Sequence, residues 1–271
     1  MLKRSAKLIF AASSPALLIV GSLALARHPQ NAAATSDRTP VIVELFTSEG
    51  CSSCPPADNL LQQLNAKQPL HDADIIPLEE HVDYWDHDGW NDPYSSPQWT
   101  ERQASYGSFF RTESYTPQMV VDGKSQFVGS SVRDAGAAIE NAAHSAKTDV
   151  TIASAKPLAN GEGDFTVTVG KLAGSSAGDS AEVWLAITED GLQSSVSGGE
   201  NQGSTLRHVA TVRSLYKIGV ADSNGNASSF TADQRIKLNP QWNAANLKVV
   251  VFVQEKRNRQ IIGAASLKVS S

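Results

Sequence analysis

The chain has 271 residues, 41% of them hydrophobic and 7% aromatic, enough apolar material to bury a core in one large or two ordinary domains. Acidic residues outnumber basic ones, 28 to 23, for a formal net charge of −5, a balance that argues against nucleic acid or an anionic lipid surface as partner. Only two cysteines occur, Cys51 and Cys54, and both lie in one Cys-x-x-Cys motif.

At the start of the chain Lys3, Arg4 and Lys7 precede an apolar stretch from Leu8 to Ala26, which closes on Ala24-Leu25-Ala26, the small-x-small pattern of a signal-peptidase site. Residues 1–26 are read as an export signal cleaved after Ala26. The alternative is an uncleaved membrane anchor, but Ser13, Ser14 and Pro15 break the run and leave a short stretch against a bilayer of about 30 Å. Cleavage removes three of the 23 basic residues and none of the 28 acidic ones, which takes the net charge to −8. No later segment approaches a membrane span.

Residues 27–39 form a loose Ala/Pro/Asn segment, expected to be flexible. Val41 to Phe46 is β-branched and nearly continuously apolar, the pattern of a buried strand. It leads directly to the cysteines. Ala57, Leu60, Leu61 and Leu64 then recur at helical spacing behind Pro55 and Pro56, which suit a first turn, so a helix opens beside the motif.

Ile75 to Val82 predicts a second strand, completing a β-α-β crossover. A polar-aromatic stretch follows from Asp83 to Asn91, then a helix started by Ser96 and Pro97 with Trp99, Tyr106 and Phe110 on one side. Next come Thr116-Pro117, a hairpin of Gln118 to Val121 and Ser125 to Val128 around the turn Asp122-Gly123, and a helix from Val132 through Ile139 and Ala143.

From Thr148 the pattern changes to short strands with Gly/Ser/Asn/Asp turns: 150–152, 165–169, 183–188, 206–215, 247–253 and 261–269. This rhythm predicts a β-sandwich, with the piece from Gly174 to Ser180 read as a turn. The expected architecture is an α/β domain over 40–147 followed by an all-β, immunoglobulin-like sandwich domain over 148–271.

The cysteine spacing constrains the chemistry. A disulfide closing four residues is worth only about 2 kcal/mol in the chain-entropy model, against about 4.7 for a hundred-residue loop, so the pair is a poor structural staple. A zinc site normally needs four ligands, and a second cysteine pair or a spaced histidine pair is missing, so neither metal nor cofactor is expected. Thiol–disulfide chemistry remains. At a helix start, the partial positive charge and free N–H groups stabilise the Cys51 thiolate, while Cys54 one turn on is placed to displace a captured substrate.

Other residues join the candidate site. A cis bond at Thr116-Pro117 would expose backbone for strand-like pairing with a substrate peptide; an ordinary trans proline opening an edge strand is the alternative. Glu44, seven residues before Cys51 in an apolar strand, would move protons to and from Cys54 if buried, or reach solvent at the strand end.

His81, Asp83, Asp86, His87 and Asp88 lie close together without the spacing of a known metal motif, and Tyr84, Trp85, Trp90 and Trp99 point to a packed cap over the cysteines, with His81 near the thiols. Gly198-Gly199-Glu200-Asn201, with Arg207 and His208, reads as a plain hairpin loop.

The order Glu44, Cys51 to Cys54, Thr116-Pro117, hairpin and helix resembles the thioredoxin superfamily over 40–146. More narrowly, the stretches from Glu44 to Asp58, His81-Val82-Asp83-Tyr84-Trp85, Tyr115-Thr116-Pro117-Gln118 and Gly199-Glu200-Asn201 resemble a family of secreted bacterial proteins known as domain of unknown function 1223. The likeness covers nearly all the chain after the leader. It implies a bacterial periplasmic or secreted protein with a redox pair at Cys51 and Cys54 and a cis proline at Pro117. It brings no substrate, and three departures from ordinary thioredoxin stand out: no tryptophan precedes Cys51, Ser52-Ser53 fills the motif, and the acid Glu44 lies one residue further from Cys51 than expected.

The leading expectation is therefore an exported thioredoxin-like oxidoreductase acting on protein thiols or disulfides of the cell envelope. Two alternatives stand beside it: a non-catalytic envelope protein-binding module, and a copper-handling protein using Cys51, Cys54 and His81.

Overall fold

The computed structural model describes residues 38–87, 89–159, 161–173, 180–221 and 228–269. The expected export signal, all but the last two residues of the 27–39 segment, Asp88 and most of the Gly174 to Ser180 turn lie outside them.

The front half runs β1 (Thr39–Thr47), α1 (Pro55–Lys67), β2 (Ala73–His81), α2 (Pro97–Phe110), β3 (Gln118–Val121), β4 (Ser125–Val128) and α3 (Val132–Ala143). The rest is β5 (Val150–Ala159), β6 (Glu162–Gly170), β7 (Ala181–Glu189), β8 (Leu192–Ser195), β9 (Thr205–His208), β10 (Thr211–Ala221), β11 (Ser228–Lys237), β12 (Leu247–Glu255) and β13 (Ile261–Lys268).

Local chemistry explains the helix starts. Pro55 and Pro56 fill the first turn of α1, where the missing N–H groups cost nothing. Ser96 caps α2 by accepting from Gln98 N at 3.2 Å, with Pro97 behind it. The β3–β4 turn puts Asp122 and Gly123 at φ 48° and 64°, a conformation open to Gly and tolerated by Asp.

One mixed sheet of eight strands runs in the order β13-β12-β7-β10-β2-β1-β3-β4. β1 and β2 are parallel, with Val41 opposite Ile75 and Thr47 opposite His81. The sheet crosses the expected boundary between 147 and 148: β10 joins β2 in parallel at Thr211 opposite Glu79, and β7, β12 and β13 follow beyond it. Pro77, which has no N–H for a ladder, stands in β2 just before that bridge.

Strand alternation divides the core. Val41, Val43 and Leu45 bury against Leu60, Leu61 and Leu64 of α1 and Ile139 of α3. Ile42 and Phe46 face the other way, onto Trp99 and Tyr106 of α2 and onto Val250 and Phe252 of β12. A second, three-stranded sheet, β11-β6-β5, lays Ile152, Phe165, Val167 and Val169 on Val183, Leu185, Val249 and Val251 of the large sheet. The short pair β8–β9 forms its own ladder, with Leu192 opposite His208. Among the described residues no helix is long and apolar enough to cross a membrane.

Candidate functional site

The parallel strands β1 and β2 end side by side, and the chain leaving β1 turns at once into the cysteine motif. Cys51 N bonds Ser48 O and Cys54 N bonds Cys51 O, so a tight turn carries the pair into α1, whose cap is Cys54 itself. Cys51 and Cys54 are joined as a disulfide with Cα atoms 5.5 Å apart. Both are fully buried, while Ser52 and Ser53 between them are exposed.

The peptide before Pro117 is cis. A carbon added at Gly129 would stand 3.1 Å from Ala57 Cβ, three residues past Cys54, and 3.2 Å from Pro117 Cβ. The first turn of α1 and the proline loop therefore meet across that glycine. Trp85 ties the same loop to the cysteine turn: its Nε1 donates to Thr116 Oγ1 at 2.8 Å, and its Cβ lies 3.1 Å from where a side chain at Gly50 would begin. Trp85 thus bridges Thr116, the residue before Pro117, and Gly50, the residue before Cys51.

Glu44 does not join them. At an even position of β1 it projects onto the α2 face, away from α1, where its carboxylate accepts from Arg102 Nε at 2.5 Å and Tyr106 Oη at 2.6 Å. Glu80 lies on that face too, 3.4 Å from Arg102 Nε. Burial and the nearby Glu44 push the Glu80 carboxyl well above the usual range, with Arg102 opposing. The expectation that Glu44 exchanges protons with Cys54 meets this geometry, which turns its carboxylate toward Arg102 through the period of the strand.

The acid on the cysteine side is Asp58. It sits in α1 four residues after Cys54, a spacing that stacks side chains on one helix face, and its N–H donates to Cys54 O at 3.1 Å. Thr47 Oγ1 donates to its carboxylate at 2.7 Å. Burial, reinforced by the charge of Glu79, pushes Asp58 up to about 7, against the pull of His208.

Beneath Asp58 lies a buried polar cluster. His81 Nδ1 meets Asp92 Oδ2 at 2.7 Å; His208 Nε2 meets Glu49 Oε1 at 2.9 Å, and its Nδ1 meets Glu79 Oε1 at 3.1 Å. Trp90 Nε1 donates to Glu49, and Thr211 Oγ1 and Val209 N donate to Glu79. Burial works against every charge here, but mutual attraction prevails. Asp92 raises His81 well above the imidazole range, Glu79 raises His208 to about 9, and His208 holds Glu79 down to about 2. Of the aromatic residues expected to cap the cysteines, Trp85 donates to Thr116 and Trp90 to Glu49, whereas Tyr84 donates to Gln103 and Trp99 packs on the α2 face with Phe46 and Tyr106. Asp83 accepts from Thr100 Oγ1, and Asp86 from Ser95 Oγ and Asp92 N.

The loop between β8 and β9 closes over the motif. Asn201 Nδ2 donates to Glu49 O at 2.8 Å and Cys51 O at 3.0 Å, and Glu200 accepts from Ser52 N at 2.9 Å. In sequence this loop has only the features of a plain hairpin, because contacts spanning 148 to 152 residues leave no local signature. Asp58 had a readable signal, an acid one helical turn beyond Cys54.

Among solved structures, protein AGR_C_4864 from Agrobacterium tumefaciens is similar at 26% identity, with a TM-score of 0.63 over 87% of this chain and 97% of that one. HBP35 of Porphyromonas gingivalis, at 17% identity and a TM-score of 0.61, covers 86% of this chain and 76% of its own, and supports a shared fold. No curated protein matches the chain. The profile of the family described as Protein of unknown function (DUF1223) matches residues 42–254, and the chain belongs to that family.

Proposed function

We propose that the chain is an exported thiol–disulfide oxidoreductase of thioredoxin-like design, working on protein thiols or disulfides in the bacterial cell envelope. One observation carries the reading: the only two cysteines are paired at the mouth of a helix, beside a cis-proline loop, with a buried carboxyl one turn behind the second sulfur. The front half, with its parallel β1–β2 pair, antiparallel β3–β4 hairpin and helices on both faces, supports the thioredoxin-like assignment. The two sheets packed face to face support an immunoglobulin-like reading of the back half. The basic and apolar leader, Lys3 to Ala26, supports export.

In the reductive direction the Cys51 thiolate attacks one sulfur of a substrate disulfide, and the other leaves as a thiolate. Cys54 then gives its proton to the Asp58 carboxylate and attacks Cys51 Sγ. The Cys51–Cys54 bond forms, the second substrate sulfur leaves as a thiolate, and two electrons have passed to the substrate. The reverse sequence oxidises a dithiol, and an envelope thiol or disulfide resets the pair. Asp58, whose carboxyl titrates near 7, holds the proton between these steps.

The test is reduction of insulin by the dithiol form, combined with trapping of envelope proteins by Cys54→Ser. Discrete mixed disulfides on Cys51, with insulin turnover in the unsubstituted protein, support the reading. No thiol exchange with insulin, glutathione or any envelope protein refutes it.

The burial of both sulfurs under the β8–β9 loop favours a second reading, a protein-binding module with an inert disulfide. Full cellular function of a Cys51→Ser, Cys54→Ser variant would select it.

A further inference from the structure

We infer that Glu79, His81 and His208 form a binding site for one divalent transition-metal cation of Zn2+ character, separate from the cysteine pair. The three come from β2 and β9, and Glu79 and His208 stand 129 positions apart in sequence. All three are buried, and one ligand atom from each lies within 4.8 Å of the other two. His208 Nδ1 is 3.1 Å from Glu79 Oε1, and His81 Nε2 is 3.8 Å from Glu79 Oε2. Ligands of tetrahedral Zn2+, with bonds of about 2.0–2.2 Å, stand about 3.3 Å from one another. The two contacts run to different oxygens of Glu79, and one ligand atom from each residue lies within 4.8 Å of the others, so side-chain shifts on the order of 1 Å bring the three to that spacing.

Two further observations point to a ligand rather than a plain ionic network. His81 Nε2 is fully buried, faces Glu79, and has no hydrogen-bond partner. A buried nitrogen that faces a carboxylate 3.8 Å away without reaching it by a hydrogen bond calls for an unseen partner between them. The remaining nitrogen of each ring is already oriented by a carboxylate: His81 Nδ1 by Asp92 at 2.7 Å, and His208 Nε2 by Glu49 at 2.9 Å. Carboxylates placed behind both histidines fix the ring orientation and raise ligand basicity, as is usual for metal-bound imidazole.

The charge balance allows the exchange. A dication with two neutral imidazoles carries the same charge as two imidazolium rings, and Glu49, Glu79 and Asp92 face either state. Binding displaces one proton from each ring and moves no electron. Two imidazoles and one carboxylate are borderline ligands suited to Zn2+ and its neighbours, unlike the soft sulfur set that favours Cu(I). The bound ion would fasten β9, which carries the loop covering the cysteines, to the front half of the sheet. This inference does not depend on the oxidoreductase reading.

The test uses the oxidised protein stripped with EDTA, then loaded with Zn2+ both by incubation and by refolding from urea, and freed of excess metal by gel filtration. Elemental analysis should find one Zn2+ per chain in the unsubstituted protein and in the Cys51→Ser, Cys54→Ser variant. Glu79→Gln and His208→Gln should retain less than about a tenth of that, and Asp92→Asn should bind about 10- to 100-fold more weakly. Because such variants can misfold, Co2+ in the unsubstituted protein gives a second readout. It should show the visible bands of a nitrogen and oxygen site and no thiolate charge-transfer band. The inference is overturned by no retained Zn2+ after either loading, by full retention in both Glu79→Gln and His208→Gln, or by a thiolate band.

Discussion

Three consecutive residues at the end of β2 feed two buried polar clusters that differ in kind. Glu80 points to the α2 face, where Glu44, Arg102, Tyr106 and Gln254 close a compact unit. Arg102 also lies over the rings of Tyr106, Trp184 and Phe252, at 5.2 to 5.9 Å from their centroids. Glu79 and His81 point to the other face, that of α1, where two histidines meet three carboxylates; each cluster keeps buried atoms without a hydrogen bond, both Glu80 oxygens in the first and His81 Nε2 in the second. The first cluster satisfies one cation with two carboxyls and a phenol. The second holds two histidines and reaches the cysteine turn through Asp58, whose carboxyl is pushed up to about 7 and whose N–H bonds Cys54 O. Strand alternation places the two clusters on opposite faces of one strand.

The contrast breaks most visibly at Arg102. Arg102→Met leaves Glu44 and Glu80 buried without their cation, so unfolding in urea should report a loss of about 3–5 kcal/mol. Disulfide exchange by the folded fraction should stay unchanged. A loss below about 1 kcal/mol would show that the α2-face cluster is not a compensated unit.

Asp58→Asn should act in the opposite manner, slowing thiol exchange about a hundredfold and removing the inflection near pH 7 from its rate profile. Stability has a defined sign here. The folded carboxyl, at about 7, lies above its ordinary 3.8, so its favourable contribution is complete below about pH 4 and is lost as pH rises through 7. Relative to the Asp58→Asn variant, the unsubstituted protein should therefore weaken between pH 4 and pH 8. A parallel pH dependence in the two proteins would contradict the assignment.

Asn201→Ala leaves Glu49 O and Cys51 O without their side-chain donor, at a cost of about 1–3 kcal/mol. It should also speed reduction of the disulfide by dithiothreitol severalfold by loosening the cover; an unchanged rate would mean that the β8–β9 loop does not limit access. The smallest effect is expected from Thr47→Val, which removes the hydroxyl donor to Asp58 at about 1 kcal/mol and shifts the inflection of the exchange profile upward. A downward shift would be inconsistent with the hydrogen bond stabilising the charged carboxylate.

Much of the front half is legible in sequence because its signals are local. The apolar run 41–46, the spacing of Leu60, Leu61 and Leu64, the Ser96-Pro97 start and the Asp122-Gly123 turn correspond to β1, α1, α2 and the β3–β4 hairpin. The face taken by Glu44 was less apparent, since a buried strand with apolar residues on both sides carries no alternation to mark where one acid points. In the back half, β11 reads Ser-Ser-Phe-Thr-Ala-Asp-Gln-Arg-Ile-Lys, too polar to announce a strand, yet it pairs with β6 throughout. The single run expected over 206–215 is two strands, because Ala210 takes φ 50° and breaks the ladder before Thr211. His208 reaches Glu79 and Glu49 only because the sheet crosses the middle of the chain, a consequence of tertiary pairing that no window of sequence contains.

The central claim is that Cys51 and Cys54 are a working redox couple rather than a buried staple. Equilibrating the protein across a series of reduced-to-oxidised glutathione ratios, with far-ultraviolet circular dichroism recorded on each sample, tests it most directly. The couple should pass through one reversible two-electron transition with unchanged secondary structure at both ends. A disulfide that stays closed until the protein unfolds, or a dithiol that does not close again, would contradict the account.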